Sequence, residues 1–272
     1  MFKVSYLPYQ TKIENITHQK PIIDIISVTQ HKEAAMLILS ENGIEKDFVN
    51  IIGQNIPRII KNKKAYDIIF KDKKQQQIIE DMFNPLSQMD LKKGALNNND
   101  VIENSIKILA KSQRCFYIRQ VDLSQYNKLY ILGHGSAGNS KILSGNTIVN
   151  SEELVTFLEK SNILKSIKDI RLTSCGSADC FKLPSIKKED VEKSREILNK
   201  SDKGTSLLTS ISTLLWKQGY TDIRISGYHG QGVFGKESDT EPVSYHLRSA
   251  EIPAKITQRR SVLRTTLISE ID

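Results

Sequence analysis

Two short apolar segments of the chain end on residues that can carry out acid–base and nucleophilic chemistry. Residues 128–132 lead through a glycine into His134, and residues 169–173 lead into Cys175. Each of these two residues is itself followed by a glycine. Short apolar runs bounded by turn residues are typical of buried β-strands. The sequence therefore predicts a histidine and a cysteine at the carboxyl ends of two strands.

The order of the surrounding elements predicts an α/β fold. Asn150, with Glu153 three residues later, has the capping-box pattern that begins a helix. Alternating strands and helices imply a mainly parallel central sheet flanked by helices, followed by a β-rich tail from residue 243. The predicted strands are 65–70, 115–121, 128–132, 170–174 and 223–226; the predicted helices are 75–82, 101–111, one from 150 and 206–217; and 84–100 is a predicted loop.

With 272 residues, the chain is long enough to bury a substantial core as one large domain. We expect the polar residues 1–20 to form a flexible leader that acts as a secretion signal. Residues 21–272 are expected to form a single domain. Within it we distinguish an N-terminal part (21–100), a catalytic core (101–235) and a basic flap and tail (236–272).

His134 and Cys175 form a plausible thiol–imidazole dyad if their strands are parallel neighbours. A right-handed crossover through the intervening helix would bring both carboxyl ends to one edge of the sheet, where open α/β sheets carry their sites. The imidazole would then handle protons while the thiolate attacks a carbonyl carbon. The N–H of Gly135, and that of Cys175, are candidate oxyanion donors. Taken alone, each residue is more simply a loop histidine or a buried core cysteine.

Two other motifs overlap the histidine segment. Residues 133–138 match the G-x-G-x-x-G pattern of dinucleotide-binding folds, but residues 139–146 predict a loop or hairpin where that pattern requires a helix. Ser136 lacks the G-x-S-x-G context of a hydrolase nucleophile. Neither nucleotide binding nor a serine hydrolase is therefore favoured.

The net charge of +8 is concentrated near the C-terminus. Five cations between residues 248 and 264 are opposed only by Glu251, whereas charges of both signs alternate over most of the chain. This distribution favours a polyanionic ligand or an acidic partner over nucleic acid. The five are Arg248, Lys255, Arg259, Arg260 and Arg264.

Cysteine and histidine usage argues against several other classes. Three cysteines, an odd number, do not make a disulfide framework and favour reduced thiols. The five scattered histidines show no zinc-binding spacing, so no metal is expected. No apolar run reaches the roughly 18 residues of a membrane span, and residues 1–20 lack the pattern of a classical signal peptide. We therefore expect no stable membrane insertion.

The order of strand, His-Gly, helix, strand and Cys resembles that of caspase-like (clan CD) cysteine peptidases. Within that clan it is most similar to the inositol-hexakisphosphate-activated autoprocessing protease domains of RTX and large clostridial toxins, and to related OspB-like type III secretion effectors. The likeness covers residues 112–235 and is carried by segments 128–135, 166–175 and 222–227. It implies a caspase-like α/β fold with a C-terminal β-flap.

The resemblance implies a cysteine endopeptidase whose dyad is His134 and Cys175, with no required third member. It also implies allosteric activation by inositol hexakisphosphate, bound in a basic pocket away from the cleft. Lys128 corresponds to a basic, ligand-binding position of such toxins, whereas the flap and tail cations are candidates by charge and order. The candidate ligand-binding residues are Lys128, Lys236, Arg248, Lys255, Arg259, Arg260 and Arg264.

In biological terms, the resemblance implies a secreted bacterial effector or toxin that acts in the host cytosol. It would cleave itself or a host protein, often with leucine before the scissile bond. The chain departs from the toxin domains by a charged insertion at 182–203. Two alternatives stay open: a non-enzymatic polyanion- or phosphoinositide-binding module on the same fold, and another thiol enzyme such as an acyltransferase or deamidase.

Overall fold

The computed structural model of the protein describes residues 33–198, 205–235 and 244–269. The predicted leader at 1–20 and the candidate ligand-binding residue Lys236 lie outside the described residues. The described strands are β1 (Glu33–Ile38), β2 (Asp67–Phe70), β3 (Cys115–Tyr117), β4 (Tyr126–Leu132), β5 (Lys141–Ser144), β6 (Thr147–Asn150), β7 (Asp169–Leu172), β8 (Arg224–Tyr228), β9 (Gln231–Gly235), β10 (Ser244–Ser249), β11 (Gln258–Arg259) and β12 (Arg264–Leu267). The described helices are α1 (Phe48–Ile60), α2 (Lys73–Ser87), α3 (Asn98–Ser112), α4 (Ser151–Lys160), α5 (Ile163–Ser166), α6 (Lys188–Leu198) and α7 (Leu207–Lys217).

Seven strands form a central sheet in the order β12-β8-β7-β4-β1-β2-β3. Its neighbouring strands are parallel except for β12, which runs antiparallel to β8. The predicted α/β fold with a mainly parallel central sheet flanked by helices is therefore confirmed. The strand that leads to His134 and the strand that leads to Cys175 are direct neighbours, β4 and β7.

The two faces of the central sheet differ because side chains alternate along each strand. Leu129 and Ile131 of β4 lie in the apolar cluster that also contains residues of α4, α5 and α7. Tyr130 and Leu132 point the other way, into a cluster with α1, α2 and α3. That second cluster contains described residues of β1, β2 and β4 but none of β7 or β8. On this face, β7 and β8 therefore carry polar and charged side chains.

The strands β9, β10 and β11 form a separate antiparallel sheet, which we call the second sheet. In β10, Arg248 lies opposite Gly232 of β9 and Gln258 of β11. β10 also packs beside α1. The second sheet therefore lies beside α1 and reaches the turn that follows β7, where Gly232 of β9 is bonded to Cys175.

Local sequence explains where α4 begins. The Glu153 N–H donates to Asn150 Oδ1 at 2.8 Å, and the Asn150 N–H donates to the Glu153 carboxylate, so the predicted capping box is confirmed. The hairpin alternative for residues 139–146 is also confirmed, as β5 and β6 pair antiparallel.

Several elements differ from the prediction. The strand predicted for 115–121 ends at Tyr117, because Ile118 turns inward onto the apolar cluster in a 3-10 turn. α2 continues to Ser87, into the predicted loop. The charged insertion contains α6, which is held to the protein by its buried apolar residues Val191 and Leu198. No prediction covered residues 40–64, which contain α1.

Candidate active site

The pairing of β4 with β7 sets the positions of both predicted catalytic residues. Ile131 pairs with Leu172, and the N–H of Thr173 donates to the Ile131 carbonyl at 3.0 Å. His134 and Cys175 each follow this last pair by three residues. Both residues therefore leave the central sheet at the same edge, on adjacent strands.

Glycines allow the two turns to pack directly against each other. A Cβ atom at Gly135 would lie 3.0 Å from Ser174 Cβ and 3.1 Å from the Cys175 carbonyl oxygen. Gly176 has a φ of +57°, and a Cβ atom there would lie 2.6 Å from the backbone nitrogen of Ala137. A larger residue at either position would force the histidine turn away from the cysteine turn.

A cavity of about 250 Å³ opens beside Cys175. Its wall includes Gly135 on one side, Leu183 and Ala250 on another, and Gln231 at the start of β9. Gly135 and Cys175, the residues with the candidate oxyanion N–H groups, thus line the same space. The cavity is large enough to receive one aliphatic side chain of a peptide.

Buried hydrogen bonds support the wall of this cavity. Asp179 accepts a hydrogen bond from the Gly230 N–H at 2.7 Å, and its other carboxylate oxygen lies 2.6 Å from Nδ1 of His229. The second ring nitrogen of His229 lies 2.8 Å from the hydroxyl of Thr265. His229 is fully buried, so it supports the turn at Gly230 and does not face the cavity.

Asp47 is the hydrogen-bond partner of the His134 imidazole. The Nε2 atom lies 3.1 Å from the Asp47 carboxylate, while 54% of the histidine side chain is exposed. This hydrogen bond raises the pKa of His134 above its ordinary value, although partial burial acts in the opposite direction. The carboxylate therefore favours the imidazolium and fixes the orientation of the ring.

Asp47 was not predicted from the sequence, because the resemblance requires no third member of the dyad. Asp47 is fully buried at the end of the 3-10 turn Ile44–Asp47, immediately before α1. It accepts hydrogen bonds from the Gly145 N–H at 2.7 Å and from the Ser144 hydroxyl at 3.2 Å. These bonds from the β5–β6 hairpin hold the carboxylate in place behind His134.

The Cys175 sulfur is bonded to the second sheet. The backbone N–H of Gly232 in β9 donates to Sγ at 3.3 Å. The imidazole of His134 is bonded to Asp47, and no hydrogen bond joins it to the thiol within the described part of the chain. The structure thus brings the two residues to one edge of the sheet without pairing them.

Arg248, predicted as a ligand-binding cation, is buried under the cysteine turn. Only 2% of the residue is exposed. Its guanidinium donates to the carbonyls of Thr173 at 2.7 Å, Ser174 at 3.2 Å and Gly230 at 3.1 Å. The structure therefore separates Arg248 from Lys255 and Arg259, the exposed cations of the same predicted group.

A second group of cations lies on the polar face of the central sheet. Cross-strand pairing puts Lys128, Asp169 and Arg224 in one row, and the next row contains Arg171. The Asp169 carboxylate lies 2.9 Å from Arg171 and 3.7 Å from each of the other two cations. One carboxylate thus faces three positive charges. We call Lys128, Arg171, Arg224 and Arg260 the basic face.

Arg260 joins this group from the segment after β11. Its guanidinium lies 5.6 Å from the ring centre of Tyr130 and 5.8 Å from that of Tyr228, and it donates to Gln54 of α1. Burial, followed by the charge of Arg260, lowers the pKa of His246 to about 3. Burial, reinforced by the charge of Arg171, also lowers the pKa of Lys128. The basic face therefore has a local surplus of positive charge.

The other predicted cations are more dispersed. Arg264 lies in register with Tyr228 and so points towards the same face. Arg259 is exposed in β11, and Lys255 is 80% exposed and lies 3.6 Å from Glu251. Arg171 and Arg224 were not predicted, although alternation along the strands puts them on the same face as Lys128.

Comparison with models of known protein families gives no match for this chain, and comparison with curated proteins gives none either. Among the residues that the structure describes, no helix is long and apolar enough to cross a membrane. Within the same ranges, no group of three or more His, Cys, Asp or Glu side chains could hold a metal ion.

Replacing Asp47 with Asn should lower the pKa of His134 towards or below its unperturbed value of about 6.5, because the carboxylate that favours the imidazolium is lost and burial remains. Titration of the imidazole signals by NMR would measure the change. Glu45→Gln is the matched control, because Glu45 is an exposed acid in the same 3-10 turn. An unchanged pKa of His134 in Asp47→Asn would contradict this account.

Proposed function

We propose that this chain is a cysteine endopeptidase that uses Cys175 and His134 and is switched on by inositol hexakisphosphate. The observation that carries the proposal is the stacking of the histidine turn on the cysteine turn, at the ends of adjacent parallel strands and beside a cavity. This is the arrangement that acyl transfer through a thiolate needs. The nucleophile, a proton carrier and a space for a peptide side chain lie at one edge.

The chemistry would proceed in two stages. The Cys175 thiolate adds to the scissile carbonyl, and the N–H groups of Gly135 and Cys175 stabilise the oxyanion. The carbon–nitrogen bond then breaks as the His134 imidazolium gives its proton to the leaving amine. In the second stage, water loses a proton to the imidazole and attacks the thioester, which releases the carboxylic acid and the thiolate. Asp47 would keep the ring oriented in both stages.

The hydrogen bonds at the site are consistent with a dormant ligand-free enzyme. The thiol is bonded to Gly232 of the second sheet, and the imidazole is bonded to Asp47. We take the second sheet to be the β-flap that the resemblance implies. A shift of this sheet would free the sulfur and change the cavity, because Gln231 of β9 and Ala250 after β10 line it.

The basic face supports inositol hexakisphosphate as the ligand that causes this shift. Arginine and lysine form charge-assisted hydrogen bonds with phosphate groups. Several of these side chains must act together to bind the polyanion tightly. Lys128, Arg171 and Arg224 share a single carboxylate, so they retain charge for a ligand. Arg260 follows β11 and its N–H donates to the His246 carbonyl in β10, which links the bound ligand to the second sheet.

We further propose that the protein is a secreted bacterial effector or toxin that acts in the host cytosol on itself or on a host protein. This part rests on the resemblance of the His134 and Cys175 segments. The ligand is abundant in eukaryotic cytosol, so activation by it would keep the enzyme dormant in the producing cell. The proposal includes neither stable insertion into a membrane nor a nucleic-acid partner.

Cleavage of leucine-containing peptides, and of the chain itself, should depend on the ligand and on both catalytic residues. Cys175→Ala should abolish the formation of new amino termini, since no thiolate remains. His134→Ala should slow it by at least about 100-fold through loss of the proton carrier. Mass spectrometry of the products with and without inositol hexakisphosphate would measure this. Cleavage that persists in both variants would contradict the proposal.

Inositol hexakisphosphate should raise the melting temperature of the wild-type chain by about 5–10 °C at 100 times its dissociation constant. Lys128→Gln should reduce that shift by about 3 °C, because one charged contact is lost. Without the ligand, the melting temperature of Lys128→Gln should equal or exceed that of the wild type. The reason is that burial and the charge of Arg171 both disfavour the charge of Lys128.

Arg119→Gln provides the matched control for this titration. Arg119 is exposed just after β3, at the other edge of the central sheet, and its loss removes the same charge from the chain. Its ligand-induced shift should equal that of the wild type. A full shift in Lys128→Gln, or none in the wild type, would exclude the basic face as the ligand site.

A further inference from the structure

Arg248 is a buried cation that forms no ion pair with a carboxylate in the part of the chain that the structure describes. No Asp or Glu among the described residues lies within ion-pair distance of its guanidinium. The Nε atom is buried and has no hydrogen-bond partner among the described residues, although the other guanidinium nitrogens donate to three carbonyls. A guanidinium in this position costs considerable solvation free energy unless an anion faces it. An anion near this site is therefore to be expected.

The Cys175 sulfur, as a thiolate, can supply this anion. Both groups lie next to Gly232: a Cβ atom there would be 3.9 Å from the guanidinium carbon of Arg248 and 4.0 Å from Sγ. Of the charged groups that interact with Arg248, Cys175 favours its charged form most strongly. Burial is the larger effect and acts against that form.

Gly232 and Arg248 belong to neighbouring strands of the second sheet. They are directly opposite in the pairing of β9 with β10. The Gly232 N–H donates to Sγ, while Arg248 extends beneath the same turn and holds the carbonyls of Thr173 and Ser174.

We infer that Arg248 is a positioning residue and the fixed counter-charge of the Cys175 thiolate, and that it forms with the Gly232 amide a thiolate site carried by the second sheet. The inference rests on the proposed function in taking Cys175 as the nucleophile. It assigns to Arg248 a role beside the thiol in place of the predicted role in ligand binding. The position of the second sheet would then control the electrostatics of the nucleophile as well as access to it.

Other charged groups near Cys175 and Arg248 differ from Arg248 in burial or in hydrogen bonding. Asp179 lines the cavity and also favours the charged form of Arg248, though less than Cys175 does, and its carboxylate is bonded to His229 and to the Gly230 N–H. Arg260 is a cation that disfavours the charged form of Arg248. Lys182 also lines the cavity and is exposed, so water screens its charge. His134 is half exposed and bonded to Asp47.

The test compares two alkylating agents that differ in charge. Iodoacetate carries a carboxylate and iodoacetamide does not, so a cation beside the sulfur accelerates the first reagent relative to the second. The rate constants are measured at the peptide that contains Cys175, by mass spectrometry, without inositol hexakisphosphate. Arg248→Gln should lower the ratio of the iodoacetate rate to the iodoacetamide rate by about fivefold. Arg248→Lys should restore most of the ratio, and Arg119→Gln should leave it unchanged.

A purely structural role for Arg248 predicts a different result. Both reagents would then slow by the same factor, with an unchanged ratio, and Arg248→Lys would behave like Arg248→Gln. Either outcome would overturn the inference. Because alkylation does not require peptide cleavage, a chain that cleaves nothing but shows the charge effect would reject the protease proposal and keep this one.

A second measurement covers the case in which the Arg248 variants do not fold. The wild-type protein is compared with a short synthetic peptide of residues 172–178, which carries Cys175 without the second sheet. The rate ratio in the protein should exceed that in the peptide by about fivefold. Lys182→Gln shows how much of the excess comes from the exposed lysine. Equal ratios in protein and peptide, or loss of the whole excess in Lys182→Gln, would overturn the inference.

Discussion

The last paired residues of β4 and β7, Ile131 and Leu172, fix the relation between the two turns that follow them. Side chains alternate along each strand, so a slip of one residue would turn His134 or Cys175 to the other side. The buried residues of β7 oppose such a slip, because it would turn Ile170 and Leu172 to the polar face of the sheet and Arg171 into the apolar cluster. The hydrophobic core thus specifies the register, and the register specifies the site. The glycines then allow the two turns to touch.

The second sheet connects the two ends of the proposed mechanism. Its strand β10 contains His246, whose carbonyl is bonded to Arg260 of the basic face, and two residues later Arg248, beneath the cysteine turn. Gly232 of the neighbouring strand is bonded to the sulfur. A polyanion that binds and displaces Arg260 would therefore act on Cys175 through His246 and Arg248, which are only two residues apart in β10. Such short coupling needs no long pathway through the core.

The sequence predicted those parts of the site that follow from local patterns. Strand-like runs located His134 and Cys175, and the capping pattern located α4. Asp47 could not be predicted, because it lies 87 residues before His134 and is brought to it only by tertiary packing. The charge of Arg248 was visible, but its burial was not, since burial depends on how β10 pairs. Arg171 was predictable in principle: reading alternate residues of the strands would have put it on the face of Lys128.

The central claim is that the ligand turns Cys175 into a nucleophile that acts together with His134. Labelling with a peptidyl acyloxymethyl ketone that carries leucine at its reactive end, followed by intact-mass measurement, tests it most directly. The account predicts one adduct per chain at Cys175, which forms rapidly with inositol hexakisphosphate, slowly without it, and hardly at all in His134→Ala. Labelling that is absent with the ligand bound, or that is equally fast in His134→Ala, would contradict it.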